Sequence, residues 1–124
     1  MSTPIRLTKH VQVVIYELQA YIDDNHSHQN LKISDLAMKA CIDRKVLEAG
    51  FKQIFHMTIK KYCIRRRMEF SQQLLDEGSL TIKEIAHKCG YRSQNSYTRC
   101  FKQIYKVTPT EWQNRAERAQ VFLE

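Results

Sequence analysis

The chain has 124 residues, is 43% hydrophobic, and carries a formal net charge of +7 with few glycines (3) and prolines (2). That length holds one domain or two very small ones and leaves no room for a typical enzyme with a separate cofactor domain. The scarcity of glycine and proline argues for helices joined by short turns, and the basic balance points to a polyanionic partner.

In chain order, the first predicted element runs from Thr8 to Asn25, where Val11, Val14, Ile15, Leu18 and Ile22 recur at three- and four-residue spacings. The polar stretch His26-Ser27-His28-Gln29-Asn30 breaks it. A short helix from about Ile33 to Cys41 and a tight turn at Ile42-Asp43 follow. Asp43 then caps a third helix over Arg44 to Phe55, with Leu47, Phe51 and Ile54 on its inner stripe. Gly50, inside that helix, costs about 1 kcal/mol against alanine and is best explained by close helix packing.

A long helix is predicted from Thr58 or Ile59 to about Asp76, with Tyr62, Met68, Leu74 and Leu75 inside and Gly78-Ser79 as its stop. Thr81-Ile82-Lys83-Glu84 has the form of a capping box for the fifth helix. Gly90, in the turn Cys89-Gly90-Tyr91, suits positive φ. Ser93 caps a sixth helix to about Tyr105, carrying Tyr97, Phe101 and Ile104 inward. Thr108-Pro109-Thr110-Glu111 opens a terminal helix that contains Trp112. The expected fold is all-α, about seven helices without a strand.

The chain repeats itself. Phe51-Lys52-Gln53-Ile54 returns as Phe101-Lys102-Gln103-Ile104, and Ile33-Ser34-Asp35-Leu36-Ala37 parallels Ile82-Lys83-Glu84-Ile85-Ala86. Thr58 pairs with Thr108 and Tyr62 with Trp112. The offset is 86 − 37 = 49 at the alanines and 101 − 51 = 50 at the phenylalanines. Charge is shared unequally between the copies: 7 − 6 = +1 over residues 1–56, and 13 − 7 = +6 over residues 57–124.

Each copy reads as short helix, tight turn, longer helix. The outward face of the longer helix in the second copy carries Gln94, Asn95, Thr98, Arg99 and Lys102. Gln and Asn pair bidentately with adenine, Arg with guanine, and a threonine methyl meets that of thymine. A solvated helix face is the bland alternative for one such helix; its recurrence in a duplicated setting favours base reading.

From Arg67-Met68 through Leu74-Leu75, Ile82, Ile85-Ala86, Gly90-Tyr91, Tyr97, Phe101 and Thr108-Pro109, the chain closely resembles the signature of the AraC/XylS family of bacterial transcription regulators. With the first copy included, the similarity covers about residues 8–115. The resemblance implies two helix-turn-helix subdomains joined by a long linker helix: residues 1–57, 58–77 and 78–124. It further implies two recognition helices in neighbouring major grooves about 34 Å apart, so that a monomer reads an asymmetric, bipartite double-stranded site.

Carried over by position, the base-reading residues are Gln94, Asn95, Thr98 and Arg99 in the second unit, and Lys45, Glu48 and Ala49 in the first, with Arg44 nearby. Glu48 and Ala49 depart from the Gln and Arg common there. A glutamate can accept from cytosine N4 but also repels phosphate. Cys41 stands where Gly90 stands, Lys32 where Thr81 caps, and Ser71 replaces a common alanine.

The phosphate candidates are Lys52, Lys60, Lys61, Arg65, Arg66, Arg92, Lys102 and Lys106. Lys60, Lys61, Arg65, Arg66 and Arg67 crowd the start of the linker helix with only Glu69 near them. One or two are alternatively structural partners of acids such as Asp35 or Glu84, Arg67 above all.

Rival readings are weaker. No phosphate loop, nucleophile elbow or H-E-x-x-H pattern appears, and no cofactor or metal is expected. Cys41, Cys63, Cys89 and Cys100 lack zinc spacing, and His26 and His28 form only a loose i, i+2 pair. A DNA-repair methyltransferase with a similar helical module would need a zinc site and an acceptor cysteine. A non-specific architectural DNA binder would need the basic residues but not the Gln, Asn, Thr and Arg faces. An RNA-binding or protein-interaction bundle is the third alternative, against which Trp112 sits at a core-like position.

No signal peptide or membrane-spanning run is visible, so a cytoplasmic protein is expected. Met1 and the short lead-in favour a stand-alone family member over a fragment of a larger ligand-sensing regulator. The resemblance then implies a monomer that activates by touching RNA polymerase, with repression by occlusion as the alternative.

Overall fold

The structure, a computed structural model, describes residues 4–25 and 33–115. Six helices are bounded: α1 (Lys9–Asn25), α2 (Ile33–Lys39), α3 (Arg44–Phe55), α4 (Ile59–Glu77), α5 (Ile82–Lys88) and α6 (Gln94–Tyr105). A seventh helical segment, α7, covers 109–115, and the described residues hold no strand. The polar break at 26–30, the His26/His28 pair and Lys32 lie outside the described residues.

The helix boundaries follow from local chemistry. Asp43 accepts from the Lys45 amide at 2.8 Å and Ser93 accepts from that of Ser96 at 3.1 Å, each satisfying an orphan donor of the first turn. Thr81 and Glu84 exchange both bonds of a capping box, at 3.1 and 3.3 Å. At the start of α7, Thr108 Oγ1 accepts from the Glu111 amide at 3.1 Å. Helix α4 ends where Gly78 turns to φ 71° and its amide donates to Leu74.

Two compact units divide between Arg66 and Arg67, inside α4. The first turns of α4 belong to one unit and its remainder to the other. Val11, Ile15, Leu18, Ile22, Ala37, Leu47, Phe51 and Ile59 form the buried core of the first unit. Met68, Leu74, Leu75, Ile85, Ala86, Cys89, Tyr97 and Phe101 are buried in the second. Each such aliphatic or aromatic side chain adds roughly 1.5–3 kcal/mol by leaving water.

The sequence repeat reappears as repeated geometry. In the first turn, Ile42 donates to the Ala37 carbonyl; in the second, Tyr91 donates to that of Ala86, both at 2.9 Å. His56 and Lys106 close the two longer helices in the left-handed region, at φ 61° and 67°. Behind each helix sits a three-ring cluster. Phe51 lies 4.6 Å from Phe55 and 5.5 Å from Tyr62, while Phe101 lies 4.6 Å from Tyr105 and 6.2 Å from Trp112.

The polar tip of the third ring is satisfied the same way in both units. Tyr62 Oη donates to Asp23 on α1 at 2.7 Å, and Trp112 Nε1 donates to Asp76 on α4 at 3.2 Å. Burial and the bond to Asp23 push the Tyr62 phenol above its ordinary range. Trp112 is thus part of the packing and no platform for a base.

Gly50 has the packing role expected of it. A Cβ built there would lie 2.7 Å from Ile15 Cδ1 and 3.0 Å from Leu7 Cδ2, so α1 and the segment before it press directly on the α3 backbone. Gln53 fixes that segment, accepting from the Ile5 amide at 2.9 Å and donating to the Ile5 carbonyl at 3.0 Å. Cys41 also behaves as its alignment with Gly90 implies: its φ is 56°, against 88° for Gly90. The first turn therefore holds a left-handed residue that has a Cβ. Ser71 is fully buried; its hydroxyl donates to the Met68 carbonyl at 2.8 Å and adjoins that of Tyr97.

Candidate nucleic-acid interface

In the second unit, α6 is held by its cap and by a buried inner face. Ser93 caps its start, and its inner side chains Tyr97 and Phe101 are fully buried. Tyr91, in the turn before it, packs 5.8 Å from Tyr97, and its hydroxyl donates to Cys100 Sγ at 3.3 Å. Arg67 lies over the Tyr91 ring with its guanidinium carbon 5.4 Å from the centroid. The cation left open as structural or DNA-facing is therefore stacked on a ring within the second unit, next to the turn. Burial pushes the Cys89 thiol up to about 11 and raises the Tyr91 and Tyr97 phenols, so this support stays neutral.

On the opposite face of α6, Gln94, Asn95 and Arg99 are exposed and Thr98 is half-exposed. Among the described residues, none of these four side chains makes a hydrogen bond or ion pair, so their donors and acceptors remain available. Lys102 is exposed beside them. Lys106, also exposed, turns its Nζ onto the Gln103 carbonyl at 3.0 Å, and Arg92 is exposed just before the Ser93 cap. Three hydrogen-bonding residue types and a partial methyl surface are thus aligned on one side of a twelve-residue helix.

The first unit presents the same frame with different chemistry. Lys45, Glu48, Ala49 and Lys52 are exposed along α3, at the positions of Asn95, Thr98, Arg99 and Lys102. Arg44, expected near the base-reading set, is tied down. Its Nε donates to Glu48 Oε1 at 2.8 Å and its Nη1 to Ser34 Oγ at 2.9 Å. The two charges therefore cancel in place, with Ser34 on α2 as the third member of the cluster. Ser34 is not legible from sequence, because its bond to Arg44 spans ten residues and two helices.

The basic start of α4 is mostly open: Lys60, Lys61 and Arg65 are exposed. Arg66, also expected to hold phosphate, is paired within the first unit. Its Nε lies 3.0 Å from Asp23 Oδ1, the same oxygen that receives the Tyr62 hydroxyl, and the side chain is only 37% exposed. Its partner carboxylate comes from α1, which the sequence of α4 by itself does not reveal. The described residues contain no group of His, Cys, Asp and Glu able to hold a metal, and none of their helices is long and apolar enough to cross a membrane.

Comparison with known proteins agrees with this architecture. Residues 36–115 match the profile of a family described as "Helix-turn-helix domain". The chain is 33% identical over 101 residues to the F1 operon positive regulatory protein of Yersinia pestis, covering 82% of this chain and 34% of that protein. It is 31% identical over 104 residues to the regulatory protein SoxS of Escherichia coli K12, covering 84% of this chain and 96% of SoxS. It spans about a third of the length of several other relatives (36% and 32% in two cases). A solved transcriptional regulator of the AraC-type DNA-binding domain class, from Chromobacterium violaceum, superposes with a TM-score of 0.74 at 25% identity, covering 88% of this chain and 96% of that one. With the family profile matched over most of its length, and a relative above 30% identity aligned over four-fifths of it, the chain belongs to the AraC/XylS family of DNA-binding transcription regulators.

Proposed function

We propose that the chain regulates transcription as a monomer that reads an asymmetric, bipartite double-stranded DNA site, with α6 and α3 entering successive major grooves. The observation that carries this reading is the α6 face. Gln94, Asn95, Thr98 and Arg99 stand on a capped, aromatic-backed helix without internal hydrogen bonds among the described residues. Placed against base edges they offer bidentate pairing to adenine and guanine and a methyl for thymine. Lys45 and Glu48 are the corresponding readers on α3.

Lys52, Lys60, Lys61, Arg65, Arg92, Lys102 and Lys106 hold phosphates around the two helices, in keeping with the net charge of +7. These contacts set register and affinity, while the helix faces set sequence. The protein acts in the cytoplasm, on the nucleoid, without cofactor or catalytic step. That the Yersinia relative is a positive regulatory protein supports activation, with RNA polymerase as the second partner.

The test is selection of binding sites from a random duplex library at about 0.15 M salt, where non-specific attraction is partly screened. Enrichment of two motifs about one helical turn apart is the expected result. Salt-sensitive binding with no enriched sequence would refute the reading and leave an architectural DNA binder.

A further inference from the structure

The first unit carries a carboxylate where the second carries a threonine. A bare glutamate on a helix entering DNA would be repelled by the phosphates. Glu48 is not bare: Arg44, one turn earlier, holds Oε1 at 2.8 Å, and Ser34 holds Arg44 at 2.9 Å. An exposed i, i+4 pair adds little stability. Its consequence is orientation. Glu48 is oriented with its second oxygen unpaired among the described residues, on a side chain that is 46% exposed.

We propose that Glu48 is the specificity-determining side chain of the first unit, accepting from the exocyclic amine of a cytosine, and that Arg44, anchored by Ser34, is the positioning residue that neutralises and aims it. The inference rests on the reading that α3 enters a major groove.

The choice of base follows from the groove code. A carboxylate is acceptor-only. Guanine presents two acceptors and thymine an acceptor beside its methyl, so both repel it. Adenine offers N6 but carries the N7 acceptor on the same base edge, whereas the cytosine edge offers the N4 donor and no acceptor of its own. With Nε and Nη1 engaged, the Arg44 guanidinium is turned toward Glu48 and Ser34 and away from a guanine. The second unit has no equivalent device, because Lys83 and Gln94 stand at the positions of Ser34 and Arg44.

The experiment compares the wild-type chain with Glu48→Gln, Arg44→Ala and Ser34→Ala in site selection, then in anisotropy on duplexes that vary one base pair. The wild type should prefer cytosine at one position of the first unit's half-site by about tenfold. Glu48→Gln should move that position to adenine, since an amide both accepts and donates. Arg44→Ala should erode the cytosine preference while leaving the second unit's motif intact, which a merely structural role would not do. Ser34→Ala should erode it in the same sense by a smaller factor.

If Glu48→Gln strengthens binding to every duplex alike with no base changed, Glu48 only faces phosphate and the assignment fails. An intact cytosine preference in Arg44→Ala would overturn the positioning role. A wild-type motif opposite the second unit only would sink the inference and keep the regulator, whereas no motif at all would remove both.

Discussion

Gly50→Ala puts the packing of α3 to a direct test, because two effects of opposite sign meet at that residue. Alanine is favoured over glycine in a helix interior by about 0.8–1 kcal/mol. Against this, the new Cβ would stand 2.7 Å from Ile15 Cδ1, where carbon atoms prefer at least about 3.5 Å. Ile15 is fully buried, so its Cδ1 must give way within the core rather than toward solvent. Such overpacking costs typically about 1–3 kcal/mol. The second neighbour, Leu7 Cδ2 at 3.0 Å, belongs to a half-buried side chain and yields more easily.

The expected balance is a loss of about 1 kcal/mol from the first unit. Ile15→Val removes the offending methyl at a cost of about 0.5–1.5 kcal/mol of its own, and the double variant should recover at least about 1 kcal/mol of coupling. Urea unfolding followed by far-ultraviolet circular dichroism measures this. The single tryptophan, Trp112, lies in the second unit, so its fluorescence should barely change. Stabilisation by about 1 kcal/mol without coupling to Ile15 would refute the close approach and leave helix propensity as the only effect.

Cys41→Gly should stabilise the first turn by about 0.5–1 kcal/mol, since the left-handed φ of 56° strains a residue with a Cβ by more than glycine loses in chain entropy; a lower urea midpoint would contradict this. Arg99→Ala should cost about 1–3 kcal/mol at the selected site and relax one base position, measured by anisotropy across duplexes; equal weakening on all sequences would make Arg99 a phosphate contact. Lys102→Ala should weaken all duplexes alike and reduce the salt slope by about one charge, so a sequence-selective loss would argue against its phosphate role. The second unit should lose stability at alkaline pH. The Cys89 thiol, and the Tyr91 and Tyr97 phenols, have raised pKa values because burial favours their neutral forms. The unfolded chain therefore gives up these protons first. Stability is complete below pH 9.0, the ordinary thiol value, and declines as pH rises through about 11. Trp112 fluorescence melts between pH 8 and 11 would read this decline, and a flat profile over that range would count against buried, neutral groups.

The helices, their caps and the helix-turn-helix repeat were legible in the residues because the chemistry behind them is local. Asp43, Ser93 and Thr81 each satisfy an amide two or three positions away, and glycines 78 and 90 take a conformation their composition permits. Inward stripes such as Val11, Ile15, Leu18 and Ile22 follow from a fixed turn of 3.6 residues. The polar face of α6 was equally plain, since the residues beneath it, Tyr97 and Phe101, were already assigned to the core.

What the tertiary structure decided is which side chains remain free to act. Arg66 and Arg65 are neighbours of one type in the sequence, yet Arg66 is drawn to Asp23, 43 positions earlier, while Arg65 stays exposed. Gln53 and Gln103 belong to identical tetrapeptides, but Gln53 clamps the Ile5 backbone. Arg44 is bonded to Ser34 on another helix and to Glu48 on its own, two partners that its place in the sequence does not announce. Periodicity gives the face on which a side chain leaves its own helix. Only the approach of a second helix, bringing a carboxylate or hydroxyl within about 3 Å, determines whether that side chain is bound within the protein or left for a partner.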